Sequence, residues 1–236
     1  MTLEELKQEH EKAKHPNTQY IDHMAFIKKM VARDEDSIVN FHYNLMKDRS
    51  HRKLHQRIRY SFFKRGKVAE AFLLKAIETE SDDLLLSDTI FILGLLRSKS
   101  ARKHAIQHIQ SENEELRHTA CVVLGWVGTI KDTREILYDR LINDDSTWIR
   151  GDAATAHRQV WHRIPKVKDT ALQNLKTALL NEDEEMDVMA SIIITIQDIA
   201  KKRFGLKENI DEAEILGDVT TAREKALKAL AKIAKR

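Results

Sequence analysis

An apolar stripe recurs five times along this chain of 236 residues. Leu54, Leu85, Leu116, Ile149 and Met186 stand 31, 31, 33 and 37 residues apart. Four residues after each come Ile58, Thr89, Ala120, Ala153 and Ala190, and seven after each come Ser61, Ile92, Val123, Ala156 and Ile193. Steps of four and seven put these side chains on one face of a 3.6-residue helix. A period of this length holds two helices. One helical hairpin cannot bury its apolar face alone, so hairpins must stack into a continuous core.

Composition agrees. Two prolines and seven glycines are too few to turn an all-β chain of this length. The 42% hydrophobic content is enough for a core and argues against disorder. No apolar run approaches the roughly 20 residues that span a bilayer. A single cysteine, Cys121, forbids an intramolecular disulfide and a cysteine-based zinc site. The start, MTLEELKQEHEKAK, is charged at helical spacing and lacks the apolar stretch of a secretory signal, so the expected location is cytoplasmic.

Helices near 2–14 and 19–33 are expected to form an N-terminal cap (1–33), with Pro16 at the break between them. Five hairpins follow within 36–203, near 36–65, 67–97, 99–127, 131–163 and 166–203. The remainder, 204–236, reads as a polar loop from Gly205 to Thr220 and a capping helix over 221–235. No linker divides the chain, so 1–236 reads as a single domain. Within the third unit, Ser111 is the expected N-cap, with Glu114 completing a capping box and Gly128 ending the helix.

The segments ELRHTACVVLGWVG (115–128) and WIRGDAATA (148–156), with DTREILYDRLINDD (132–145) between them, resemble HEAT repeats, most closely the short bacterial type of phycobilin lyase subunits. Leu116-Arg117 and Ile149-Arg150 match the apolar-Arg start of that family's second helix; Leu85-Leu86 and Met186-Asp187 lack the Arg. The resemblance implies an all-α, right-handed α-solenoid of about five HEAT-like hairpins with terminal capping helices. It also implies that Arg117 and Arg150 pair with acids in neighbouring turns, for which Asp144, Asp145 and Glu112 are available.

No complete catalytic set emerges, and neither a cofactor nor a metal is expected. Glu115 and His118 form one Glu-x-x-His pair, where a di-iron site needs more. His10-Glu11 is one His-Glu dipeptide, where the HEAT-like deoxyhypusine hydroxylases use several. His51/His55 and His104/His108 each stand four apart and read as polar helix residues rather than ligand pairs.

The second helices of such a solenoid line its concave side. Projection from the stripe nominates Lys53, Gln56 and Tyr60; Leu84, Ser87 and Phe91; Glu115, His118 and Val122; Trp148, Gly151 and Thr155; and Glu185, Val188 and Ile192. Tyr60, Phe63, Phe91 and Trp148 would make an exposed aromatic row, unless packing between second helices buries part of it. In the fourth unit His157 replaces the apolar residue found at Phe62, Leu93, Leu124 and Ile194. A hydrogen-bonded, half-buried histidine is expected there. Trp148, Asp152, Arg158 and Trp161 lie within a few turns of that helix and form the expected pocket.

Charge is polarised. Residues 47–67 hold nine Lys/Arg against Asp48, while Glu182, Asp183, Glu184, Glu185 and Asp187 gather the acid late. These features support three functions. The first is a non-catalytic scaffold or regulator, with an immunity or inhibitor protein as one subtype. It binds another protein with an acidic patch through Lys53, Arg59, Tyr60, Phe63, Phe91, His118, Trp148, Asp152, Arg158 and Trp161. The second is nucleic-acid binding through 47–67, with Tyr60, Phe62 and Phe63 interleaved. The third rests on resemblance to HEAT-like alkylpurine DNA glycosylases. There Trp148 and Asp152 would correspond to an aromatic and an acid of the site, with no arginine at a matching spacing.

Overall fold

The computed structural model describes residues 2–15, 17–209 and 214–233. Pro16 and the expected end of the last helix, 234–235, lie outside them. The fold is all-α solenoid in character, built of stacked helical hairpins in two compact units, 1–100 and 101–236.

The first unit holds three hairpins: α1 (Leu3–Ala13) with α2 (Tyr20–Val31), α3 (Asp36–Leu45) with α4 (Arg52–Phe62), and α5 (Lys67–Ala76) with α6 (Asp83–Leu95). Its core contains Leu6, Phe26, Met30, Ile58, Phe62, Leu73 and Leu85. Arg65, counted by sequence among the basic residues of 47–67, is buried in this unit. It donates to Met30 O at 2.9 Å, to Asp34 Oδ1 at 2.9 Å, to His42 Nδ1 at 3.1 Å and to Arg33 O. The end of α2 is thereby fastened to the end of α4.

The second unit holds α7 (Ala101–His108) with α8 (Glu114–Val127), then a first helix in three pieces, α9 (Ile130–Asp132), a π-helical turn (Thr133–Leu137) and α10 (Tyr138–Asn143), paired with α11 (Thr147–Arg163). α12 (Lys168–Leu179) with α13 (Met186–Ala200) and α14 (Val219–Ile233) complete it. Helix α11 packs between α8 and α13. Ala222, Ala226 and Leu230, at four-residue steps, seat α14 on α12 and α13.

The caps explain the repeat register. Asp82 and Asn113 each accept two backbone N–H groups of the following helix, and Ser146 accepts one. The stripe residue comes three positions after the cap in each case: Leu85, Leu116 and Ile149, as Leu54 follows His51. Asn113 therefore replaces Ser111 as the expected cap. The Ser111 hydroxyl instead accepts from Asn113 N at 3.1 Å. Gly128 does end α8. Its backbone lies so close to the helix that a Cβ would sit 2.3 Å from Leu124 O.

In the fifth unit the register shifts by two. The cap is Glu185, so Met186 is the first helical residue and is 53% exposed. Ala190 and Ile193 are buried as the stripe expects, but so are Val188 and Ile192, both of which the sequence projection placed on the concave face.

The expected loop from Gly205 to Thr220 contains a short antiparallel ribbon, β1 (Lys207–Asn209) with β2 (Glu214–Leu216), and the start of α14 at Val219. Gln197 of α13 anchors the approach to it. Its Oε1 accepts from Phe204 N at 2.7 Å and its Nε2 donates to Leu206 O at 3.2 Å. Gly217, at φ +123°, closes the ribbon against Gly205 O, 2.4 Å from where a Cβ would stand.

Candidate functional site

Buried ion pairs fix the faces on which the candidate residues stand. Arg117, the fourth residue of α8, donates to Ser111 O (2.9 Å) and Glu112 O (3.1 Å) in its own turn. It also donates to Asp144 (3.1 Å twice) and Asp145 (2.7 Å) in the next. Arg150, the fourth residue of α11, repeats the arrangement. It holds Asp144 O at 2.8 Å and Asp145 O in its own turn, and Glu184 at 2.7 to 3.2 Å in the next. Glu112 contributes its carbonyl rather than its carboxylate. Burial alone would push Asp144 up, but the Arg117 fork and Ser146 N–H outweigh it and hold the carboxyl below its ordinary value.

In the first unit His55 takes the same place, fourth in α4. Its Nε2 lies 3.1 Å from Met46 O and 3.2 Å from Asp88 of α6. Asp88, buried in an apolar helix, also accepts from Arg49 at 2.7 Å and Arg59 at 3.1 Å. His51 and His55 do not turn to one site: His51 contacts Ser50 while His55 turns inward to Asp88. Among the described residues no three His, Cys, Asp or Glu side chains converge as metal ligands.

The α4 face carries one candidate surface, within the first unit. Lys53, Gln56, Tyr60 and Phe63 are exposed and lie three to four residues apart, forming one stripe along the helix. Phe91 is not part of an exposed row. It is buried, because the Arg59 guanidinium lies 4.2 Å from its ring centroid and the Tyr60 ring meets it edge-on at 5.5 Å. Arg59 is itself largely buried, committed to Asp88 and Phe91. Of the nine cations in 47–67, Arg49, Arg59 and Arg65 serve internal carboxylates and Arg57 stacks on Tyr20 at 4.6 Å.

On the second unit, His118 and Trp148 stack at 4.2 Å, and His118 Nδ1 lies 2.5 Å from Asp152 Oδ2. Trp148 stays 45% exposed. The expected pocket is only half assembled. Trp148 and Asp152 share a cleft of about 370 Å³ with Gly151, Thr155, Asp187 and Ser191. Arg158 and Trp161 are drawn away from it. Arg158 pairs with Asp198 at 3.0 Å and Glu208 at 3.1 Å, and Lys201 Nζ lies 4.5 Å from the Trp161 ring centroid. Trp161 is thirteen residues beyond Trp148, about 20 Å along the helix.

His157, expected half-buried, is fully buried and satisfied. Its Nδ1–H donates to Ala153 O at 2.7 Å and its Nε2 accepts from Asn174 Nδ2 at 3.1 Å. Burial pushes its pKa down to about 4, against the Ala153 bond, so the ring is neutral.

Residues 70–158 match the family model of HEAT repeats. This stretch carries HEAT repeats. The matched span runs from α5 to α11 and contains the Arg117 ladder, so the pairing implied by the resemblance is the one the helices make. HEAT repeats commonly form protein-binding scaffolds. No curated protein matches the chain. Among the described residues no helix is long and apolar enough to cross a membrane.

Proposed function

We propose that this chain is a non-catalytic protein-binding scaffold that engages an acidic protein surface through the α4 stripe. The observation that carries the reading is the exposure of Lys53, Gln56, Tyr60 and Phe63 on one face, beside a cluster in which Arg49 and Arg59 are both paired with Asp88. Aromatic anchors set beside a free cation are the usual makings of a steered protein interface. A regulator or immunity-type partner protein is one form such binding takes. Nucleic acid is the weaker reading of the same segment, because four of its nine cations are engaged internally.

The test is a pull-down with tagged protein, with and without nuclease, in the wild type and in a Lys53→Glu/Tyr60→Ala variant. Arg59 is left intact because reversing it would set a second acid against the buried Asp88. The expected result is a stoichiometric protein that survives nuclease and is lost, at least tenfold, in the variant. Capture of nucleic acid, or a partner indifferent to the variant, would overturn the assignment.

A further inference from the structure

We infer that the cleft between α11 and α13 receives an arginine side chain of a partner protein. This rests on the protein-binding reading but uses a different unit of the chain from the α4 stripe. The cleft has an aromatic wall and two carboxylates, and no cation lines it. His118 covers one face of the Trp148 indole and leaves the ring 45% exposed, so the indole is held in place before any ligand arrives. Indole is the strongest side-chain acceptor of a cation.

The carboxylates are placed to complete the recognition. Asp152 uses Oδ2 for His118 Nδ1, which orients the group; its Oδ1 has no partner among the described residues. Asp187 is exposed in the first turn of α13, and its carboxylate has no partner among the described residues. The cations nearest in sequence, Arg150 and Arg158, are committed to Glu184 and to Asp198 and Glu208. The cleft therefore offers the second oxygen of Asp152, whose first is met by His118, and the Asp187 carboxylate beside a π face. A planar guanidinium meets all three requirements at once: it stacks on the indole and divides its fork between two carboxylates. An ammonium can satisfy only one or two of them. Gly151 lines the cleft without a side chain; a Cβ there would make ordinary contact with Ser191 Oγ at 3.7 Å, whereas a larger side chain would fill the space.

The experiment titrates the full chain with the capped peptide acetyl-Gly-Arg-Gly-amide and follows the Trp148 indole N–H by NMR, assigned by Trp148→Phe. The Lys and Gln analogues and spermidine are run alongside. The expected result is a saturable shift with the Arg peptide, about threefold weaker with Lys and absent with Gln. Binding should weaken about fivefold in Asp187→Asn and disappear in Gly151→Leu, both read against an unchanged circular dichroism spectrum. Asp187→Asn serves as the second variant should Gly151→Leu fail to fold. No saturable shift, an equal shift with Gln, or tighter binding of spermidine than of the Arg peptide would overturn the inference. A partner captured through the α4 stripe with no peptide response would remove the cleft and leave the scaffold reading standing. Peptide binding with no captured protein would do the reverse.

Discussion

Arg117 and Asp144 meet as a two-point fork, Nε to Oδ2 and Nη2 to Oδ1 at 3.1 Å each, with the arginine side chain 9% exposed and the carboxylate fully buried. Removing one member of such a pair leaves buried charge without its counterpart. Asp144→Ala should therefore cost about 3 kcal/mol, lowering Tm by roughly 6 to 12 °C in a chain of this size. Arg117→Lys keeps the charge but loses the fork, and should cost about 2 kcal/mol. Lys131→Ala, which removes a solvent-exposed pair with Glu135 at 3.8 Å, should change stability by less than about 0.5 kcal/mol. Urea denaturation of the three variants checks the order.

The two fully buried histidines should make the protein acid-sensitive well above the carboxylate range. Burial pushes His157 down to about 4 and His42 to about 3. Each takes up a proton more readily when unfolded, so stability is complete above pH 6.5. It falls as pH drops from 6.5 toward the folded value, by up to about 1.4 kcal/mol per pH unit for each histidine. His157→Leu should remove about one proton from the slope of unfolding free energy between pH 6.5 and 4. An unchanged slope would show that His157 does not titrate on unfolding.

Cys121 should be inert in the folded protein. It is buried in α8, and burial, aided by Asp152 and Asp144, pushes its thiol well above the ordinary range. An aromatic disulfide reagent at pH 8 should modify less than about a tenth of the native thiol over an hour and all of it in urea. Rapid labelling of the native protein would contradict this.

The hairpins were legible because their caps, stripes and turns all point to helix pairs of one length. The fifth register was not. Met186, Ala190 and Ile193 continue the apolar pattern, and only the position of the Glu185 cap separates them from Val188 and Ile192. The ribbon at Lys207–Leu216 carries no strong alternation to betray it. His55 reads by spacing as an exposed polar helix residue, yet it is buried and holds the place of the ladder arginine, with Asp88 33 residues away. An acid inside the apolar run DLLLSDTIFIL was the available clue. The commitments of Arg158, to partners 40 and 50 residues distant, leave no local trace.

The Asp144-Asp145 turn serves two neighbours. Its carboxylates hold Arg117 from the preceding hairpin and its carbonyls hold Arg150 from the following helix. A residue inserted there would unhook both arginines at once. One inserted at Asn181–Asp183 lies ahead of Glu184 and leaves its side chain in place for Arg150. Length variation should thus be tolerated in the later turn and refused in the earlier one, although both are short polar connections between helices of the same kind.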